Sequence, residues 1–445
     1  LAQFAQSLTV SGPINGTDID YLHSSFPNLQ VLNLTNARIV AGGDKYHQWN
    51  VEQNGNATIY QWDGPWETED NVVGYVMFYN MPSLQSLSLP KGTTKIGDYA
   101  LAQIERYKLR LTNISIPSVV KEIGHHAFYY TGITEIAIPS GVTRIEDYTF
   151  WHCEKLQKAT LPNGITFIGN SAFSEAYELT DVNVPTKVES IGEYAFYNNY
   201  KRNTPVVIPN TCKTIGAYAF SNNYVMPSVT FGNSLESIGS EAFRDCHLIE
   251  QAVLPKSIVE LGQSVFYHCD SLRTFTFPQN IKEVPSWILQ YCEALTSVTL
   301  ANGTTRIGEA AFADCPRLKS ININAQTPLT YVGNYAFDDT GLTSMTLPNS
   351  ITEMGYCIFQ NCHQLVSVNV PTGIDYVPYD YCENCENLKT VTMHNGIRTI
   401  RHDAFRLCKS LKTITLNDQI TSIEYDAFWG CENLVLRKLP AALTY

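Results

Sequence analysis

Four cysteines, Cys357, Cys362, Cys382 and Cys385, spell C-x4-C-x19-C-x2-C. That is the ligand count, and nearly the spacing, with which thiolates hold a tetrahedral zinc ion. The resemblance to a zinc ribbon weakens once the rest of the chain is read. Cys246, Cys269, Cys292 and Cys315 follow one another at 23 residues, as do Cys362, Cys385, Cys408 and Cys431. The ligand spacing is therefore a by-product of a period, and the cysteines read as buried free thiols acting as small hydrophobes. The pairs His152-Cys153 and His268-Cys269 lie five periods apart and cannot share an ion. Asp63, Glu67, Glu69 and Asp70 could offer oxygens to calcium, but their spacing matches no EF-hand loop, and a solvated acidic patch is the simpler reading. No G-x-S-x-G, H-E-x-x-H, G-x-G-x-x-G or Walker A run occurs, and carboxylates do not recur as facing pairs. Catalytic residues, metal ligands and cofactors: none are expected.

The period itself names the elements. One turn reads L-x-x-(I/V)-x-(I/L)-P, then (V/I)-x-x-I-G, then A-F-x-x-C, as in Leu156 to Phe173 and Leu411 to Phe428. The first part alternates as a half-buried strand does, and its proline cannot donate to a ladder and turns the chain. The second is long enough for another short strand. The third predicts a single helical or 3-10 turn whose Phe and Cys face inward. One turn alone has too few apolar side chains to offset the entropy of ordering it, so successive turns must stack and share a core. The expected architecture is an α/β solenoid of about seventeen turns of about 23 residues, mostly short parallel β-strands.

Composition agrees. At 445 residues the chain is longer than one globular core usually grows, and 44% hydrophobic content excludes disorder. A net charge of −12 argues against nucleic acid or an anionic membrane as partner. No run of eighteen apolar residues spans a membrane, so no transmembrane segment is expected. The start, LAQFAQSLTV, has neither a basic n-region nor an apolar h-region, which suggests that an upstream segment was removed.

The repeat resembles the BspA-like leucine-rich repeats of surface proteins from Bacteroides-type bacteria and some protozoa. Val10 to Ile19, followed by Leu32 to Gly43, resembles the opening region of the Bacteroides members. The pattern departs at Val284-Pro285 and Val377-Pro378 and lacks its proline at Gly232, Ala301, Ala325, His394 and Asn417. The resemblance implies a leucine-rich-repeat solenoid that is exported, extracellular and displayed on the cell surface, lipid-anchored through a segment outside these residues. It carries no shared catalytic motif and implies adhesion to a protein or glycan on a host or bacterial surface. The alternatives are a structural spacer displaying another domain and a polysaccharide-binding protein.

Three segments follow: capping turns over 1–80 with an aromatic loop inserted at about 40–72, the solenoid over 81–435, and an end at 436–445. The loop holds Tyr46, Trp49, Tyr60, Trp62 and Trp66, half of the six tryptophans. It reads as a cap over the core or as a set of contact residues, since long loops on stable scaffolds carry function. A second aromatic set follows the Phe slot: Tyr129, Tyr130, Trp151, Tyr197 and Tyr267. These rings either cover turn backbone or contact ligand. On the strands, Ser and Thr pairs such as Ser86/Ser88, Thr274/Thr276 and Thr413/Thr415 predict hydroxyl ladders on an outward face.

Overall fold

A computed structural model describes residues 2–46, 66–103, 110–436 and 438–443. The chain divides into two compact units, Leu1–Asn223 and Tyr224–Tyr445. Both are built from turns of about 23 residues, about seventeen in all, connected by parallel ladders.

The first unit opens with strands Ser7–Ile14 and Val31–Ile39, paired in parallel around the helix Gly16–Ser25. The Asn15 side chain accepts from Thr17 N, and Asp18 answers by accepting from Asn15 N, a capping box. Two columns of short strands then run through the turns. One column holds Ser86–Ser88 and Asn113–Ser115, then Glu135–Ala137, Lys158–Thr160 and Asp181–Val182. The other holds Val72–Val73, Lys95–Ile96 and Glu122–Ile123, then Arg144–Ile145, Phe167–Ile168, Ser190–Ile191 and Thr214–Ile215. The second unit repeats both columns, for example Thr274–Thr276 on Ser297–Thr299 and Arg306–Ile307 on Tyr331–Val332.

Register places like on like. Buried Leu87 meets half-buried Ile114 on the inward face while Ser86 meets Asn113 and Ser88 meets Ser115 outside. The expected hydroxyl ladders are present at Ser86/Ser88 and Thr274/Thr276, but Thr413/Thr415 lie in no strand. Several strand asparagines bond differently. Asn183, Asn322 and Asn369 each accept from, and donate to, the backbone of Leu161, Leu300 and Leu347. They lengthen the ladder by one side-chain rung.

Inside, the Phe slot forms a column of stacked rings. Phe128, Phe150, Phe173, Phe196 and Phe220 follow at centroid spacings of 5.0, 5.0, 5.4 and 5.1 Å. In the second unit Phe312, Phe337 and Phe359 do the same at 5.6 and 5.5 Å. The I-G glycines let turns close. A Cβ on Gly192 would lie 2.6 Å from Asn170 N and 2.7 Å from Gly169 C, where only hydrogen fits.

The third segment differs from expectation. A-F-x-x-C is not a continuous helical or 3-10 turn. Nearly every copy carries two left-handed residues four apart, such as Tyr148 (φ +60°) and His152 (φ +55°); the copy with Tyr99 carries one. Alternate amides then point along the array: Tyr148 N, Phe150 N and His152 N donate to Asn170 O, Ala172 O and Ser174 O of the next turn. The amides between them, Trp151 N and Cys153 N, make local i→i−3 bonds to Tyr148 O and Phe150 O. Isolated 3-10-type bonds are thus present, but a right-handed run would turn every amide back on its own segment and leave the next turn unpaired. A left-handed non-glycine residue costs roughly 1–2 kcal/mol, and this third ladder offsets it.

Candidate binding surfaces

The loop between 40 and 72 is described at its two ends. Tyr46 and Trp66 exchange backbone hydrogen bonds of 3.0 and 3.1 Å. Tyr46 is buried, its hydroxyl donating to Tyr75 O at 2.8 Å. Its position is that of a core residue, because a ring so enclosed has no face for a partner. Thr68 Oγ1 donates to Val40 O, and Ala41 N donates to Asp70. Of the acidic group, Asp70 is occupied by that amide and Glu67 pairs with Lys45 at 3.2 Å. Trp49, Tyr60, Trp62 and Asp63 lie outside the described residues.

Trp66 leads to the second aromatic set. Its ring lies 4.3 Å from Tyr75, which meets Tyr99 at 6.1 Å; Tyr99 stacks on His126 at 4.3 Å, and His126 on Tyr148 at 4.6 Å. Beside this row Tyr129 stacks on Trp151 at 5.0 Å and Tyr130 on His152 at 4.5 Å. Trp66, Tyr129, Tyr130 and Trp151, expected as two separate sets, therefore belong to one stripe along the first unit. Its geometry restricts its chemistry. Faces are spent on neighbouring rings, so partners meet ring edges and hydroxyls rather than a flat platform. Burial, then the neighbouring Tyr130 hydroxyl, pushes the Tyr129 phenol up. Burial also lowers His126 to about 4, keeping it neutral between its two rings. Tyr197 stands apart from this stripe, edge-on to Tyr194 and Tyr218. Tyr267, in the second unit, lies under the Arg244 guanidinium at 4.7 Å and edge-on to Tyr291.

The second unit adds a cleft that the sequence reading passed over. The strand Val229–Thr230 has no ladder partner among residues 251–254; there only Gln251 pairs, forward to Thr274. A space of about 1080 Å³ opens beside this gap. Val229, Phe231, Leu248, Val253 and Leu254 give it an apolar lining, and Ser228, Thr230, Glu250 and Lys256 a polar one. Val253 is 78% exposed and Leu248 45%. The signal was in the repeat: Val253 holds the outward position that Ser88, Thr276 and Thr299 fill elsewhere, while inward Ala252 is smaller than Leu87, Phe275 and Val298. An apolar residue outside and an undersized one inside mark a turn that does not close.

The twelve cysteines are free, and all but Cys431 are buried. Their slot proves to be a hydrogen-bond position. Cys269, Cys292, Cys315, Cys362, Cys385, Cys408 and Cys431 each donate from Sγ to the carbonyl of the Phe-slot residue one turn earlier, at 3.0–3.3 Å. In the first unit Asn199 and Asn223 do the same through Nδ2, to Phe173 O and Phe196 O. Burial pushes the Cys153 and Cys292 thiols up to about 12, so neither is a thiolate at neutral pH. The Cys357, Cys362, Cys382 and Cys385 set does not assemble as a metal-binding group.

Parallel ladders, an inward Phe column and a 23-residue period define a leucine-rich-repeat solenoid. The BspA type leucine rich repeat region, in six copies, matches residues 71–203, 199–319 and 305–435, and the chain belongs to that family. A leucine-rich repeat protein from Bacteroides ovatus is similar at 22% identity and TM-score 0.51, covering 67% of this chain and 85% of that one. A leucine rich cell surface protein from Faecalibacterium prausnitzii matches at 22% identity and TM-score 0.46, over 79% and 86% of the two chains. The Pneumococcal vaccine antigen PcpA matches at 16% identity and TM-score 0.43, over 80% and 89%. No curated protein matches. Among the described residues no helix is long and apolar enough to cross a membrane.

Proposed function

We propose that this chain is a non-catalytic binding scaffold displayed at a cell surface, taking an extended segment of a partner protein into the cleft around Val253. Family membership supports a protein-binding role, and the Faecalibacterium relative's description as a cell surface protein supports the location. The partner is a protein or glycoprotein on a host or bacterial surface, and export with lipid anchoring belongs to the same proposal. The observation that carries it is the interrupted strand column: an unpaired ladder edge beside exposed apolar side chains suits an extended chain, which supplies main-chain bonds and side chains together. The aromatic stripe, presenting Tyr129, Tyr130 and Trp151 by their edges, offers a separate contact surface on the first unit, and Tyr197 and Tyr267 offer smaller ones.

The test is binding of the full chain to an immobilised panel of extracellular-matrix glycoproteins and polysaccharides, with a parallel hydrolase panel. Wild type binds a glycoprotein, and Val253→Arg weakens it at least about tenfold, since a buried unpaired charge costs more than 1.4 kcal/mol. Equal binding by the variant removes the cleft from the interface. Binding to nothing on the panel leaves the spacer reading in possession, and substrate turnover overturns the non-catalytic one.

A further inference from the structure

Asp245-Cys246-His247 closes one turn and His268-Cys269-Asp270 closes the next, so the two tripeptides mirror each other at the 23-residue offset. Asp245 and His268 both occupy the second left-handed position, at φ +56° and +57°. Consecutive turns therefore set an acid against an imidazole twice. His268 Nδ1 lies 2.7 Å from Asp245 Oδ1, and His247 Nδ1 lies 3.1 Å from Asp270 Oδ2. A diagonal contact, His268 Nε2 to Asp270 Oδ1 at 3.4 Å, links the pairs, and His247 Nδ1 is also 3.1 Å from the His268 carbonyl. Arg244 Nε donates to Asp245 Oδ2 at 3.1 Å, which leaves Oδ1 facing the histidine. The cysteines between them point inward. Cys269 donates to Phe243 O, and burial pushes its thiol well up, so it is no ligand.

We infer that Asp245, His247 and His268 bind a divalent first-row transition ion of the zinc class, with Asp270 completing the set directly or through water. One ligand atom from each of the three residues lies within 4.8 Å of the others. Zinc with bonds of about 2.0–2.2 Å spaces tetrahedral ligand atoms about 3.3 Å apart; His268 Nδ1 at 2.7 Å from Asp245 Oδ1 and His247 Nδ1 at 3.1 Å from Asp270 Oδ2 need only small adjustments to reach it. Two imidazoles select against calcium and magnesium, which take oxygen ligands. The Arg244 hydrogen bond holds the Asp245 carboxylate in place, as outer partners of metal ligands commonly do. Side-chain exposures of 28% for His247 and 41% for His268 leave the ion a way in. On binding, metal–ligand bonds replace the imidazole–carboxylate contacts, and any proton held at a coordinating nitrogen passes to water.

The second cluster that could hold an ion, Asp380, His402 and Asp403, has one imidazole, packed between Tyr379 at 4.3 Å and Tyr425 at 5.0 Å. It serves as the internal control. Zinc is titrated calorimetrically into the chelator-stripped full chain, and cobalt absorption reads the coordination. The expected result is one zinc per chain, weakened at least about tenfold by His247→Gln or by His268→Gln, lost in the double variant, and unchanged in His402→Gln. The four-coordinate cobalt spectrum disappears with His268→Gln. Circular dichroism of each variant matching wild type excludes misfolding, and Asp245→Asn is the substitute where one histidine variant fails that check. No stoichiometric zinc in wild type, an unaltered affinity in the double variant, or an equal loss in His402→Gln overturns the proposal.

Discussion

The two units fill the same left-handed positions with different chemistry. In the first, rings are frequent there, at Tyr99, His126, Tyr130, Tyr148, His152, Tyr194 and Tyr218, and stack from turn to turn, with Val76, Asn80, Ser171, Glu175, Asn198 and Asn222 at the remaining positions. In the second, carboxylates are frequent (Glu241, Asp245, Asp314, Asp339, Asp380, Asp403 and Asp426), beside His268, Trp287, Tyr291 and Tyr335 and a remainder of small, amide or apolar residues such as Ser264, Ala310, Asn361 and Leu407. The backbone is alike in both, so conformation does not dictate the side chain there. The donor slot behind the Phe column differs too: Cys153, Asn199 and Asn223 share it in one unit, and cysteines predominate in the other. The comparison teaches that the fold asks for a function at each slot (a tolerated left-handed backbone, a donor to a buried carbonyl), and several residue types satisfy it.

The largest expected difference is in thiol reactivity. In a native-state Ellman titration Cys431 reacts first, by orders of magnitude in rate, because it is partly exposed and its contact with Cys408 lowers its pKa. The buried thiols wait for unfolding. Fast reaction of Cys269 or Cys362, identified by mass spectrometry after labelling, would break the picture of a sealed donor column.

The donor slot is the next lever. Asn199→Ala removes the bond to Phe173 O and a weaker one to Ala176 O, and it should cost about 2–3 kcal/mol in urea unfolding. Cys292→Ala removes one weaker donor and should cost about 1–2 kcal/mol. Cys292→Asn should not recover wild-type stability, because Oδ1 of Asn199 and of Asn223 already lacks a partner in that slot. If both alanine variants cost nothing, the slot is mere filler.

The smallest effects are opposite in sign. Folded His126 takes its proton only near pH 4 whereas an unfolded histidine does so near 6.5, so the first unit loses stability as pH falls through that window. His126→Tyr, the residue already present at Tyr99 and Tyr148, should flatten that slope. Asp338, raised to about 7 chiefly by burial and with Asp314 nearby, keeps its proton when folded, while an unfolded aspartate releases it near 3.8. The second unit therefore loses stability as pH rises from about 4 to 7, and Asp338→Asn should remove the loss. With solvent screening each amounts to about 1 kcal/mol or less. Melting profiles from pH 4 to 8 with the same slope in wild type and both variants would cancel the contrast.

The stacked array was legible because its signals repeat. Phe173, Phe243 and Phe405 are fully buried as their spacing required, and the L-x-x-(I/V) and (V/I)-x-x-I stretches gave strands in most turns, with 251–254 and 413–415 as exceptions. The left-handed turns were not legible. Asn80, Asn198, Asn222, Asn361, Asn384 and Gly430 mark the place in some turns, but Tyr, His, Glu and even Val76 and Leu407 adopt it in others, so residue type alone does not announce it. What enforces them is the ladder to the next turn, a partner that no single turn's sequence contains. The candidate surfaces divided the same way. Trp151 and Tyr129 stood out by residue type, yet Trp66 joined them only through Tyr75 and Tyr99, which lie in different turns. The Val253 cleft and the D-C-H over H-C-D arrangement were both written in the chain. They become visible only when each turn is compared with its neighbour, position by position.

Those left-handed corners have an evolutionary consequence. Many of them offer an address at the rim of the core, and any two addresses one period apart become neighbours without further adjustment. A lineage can compose a two- or three-residue site by isolated point changes 23 residues apart, try another combination on the next pair of turns, and discard either without disturbing the Phe column. Duplication of a turn copies the address along with its backbone, so new surfaces cost this architecture little invention.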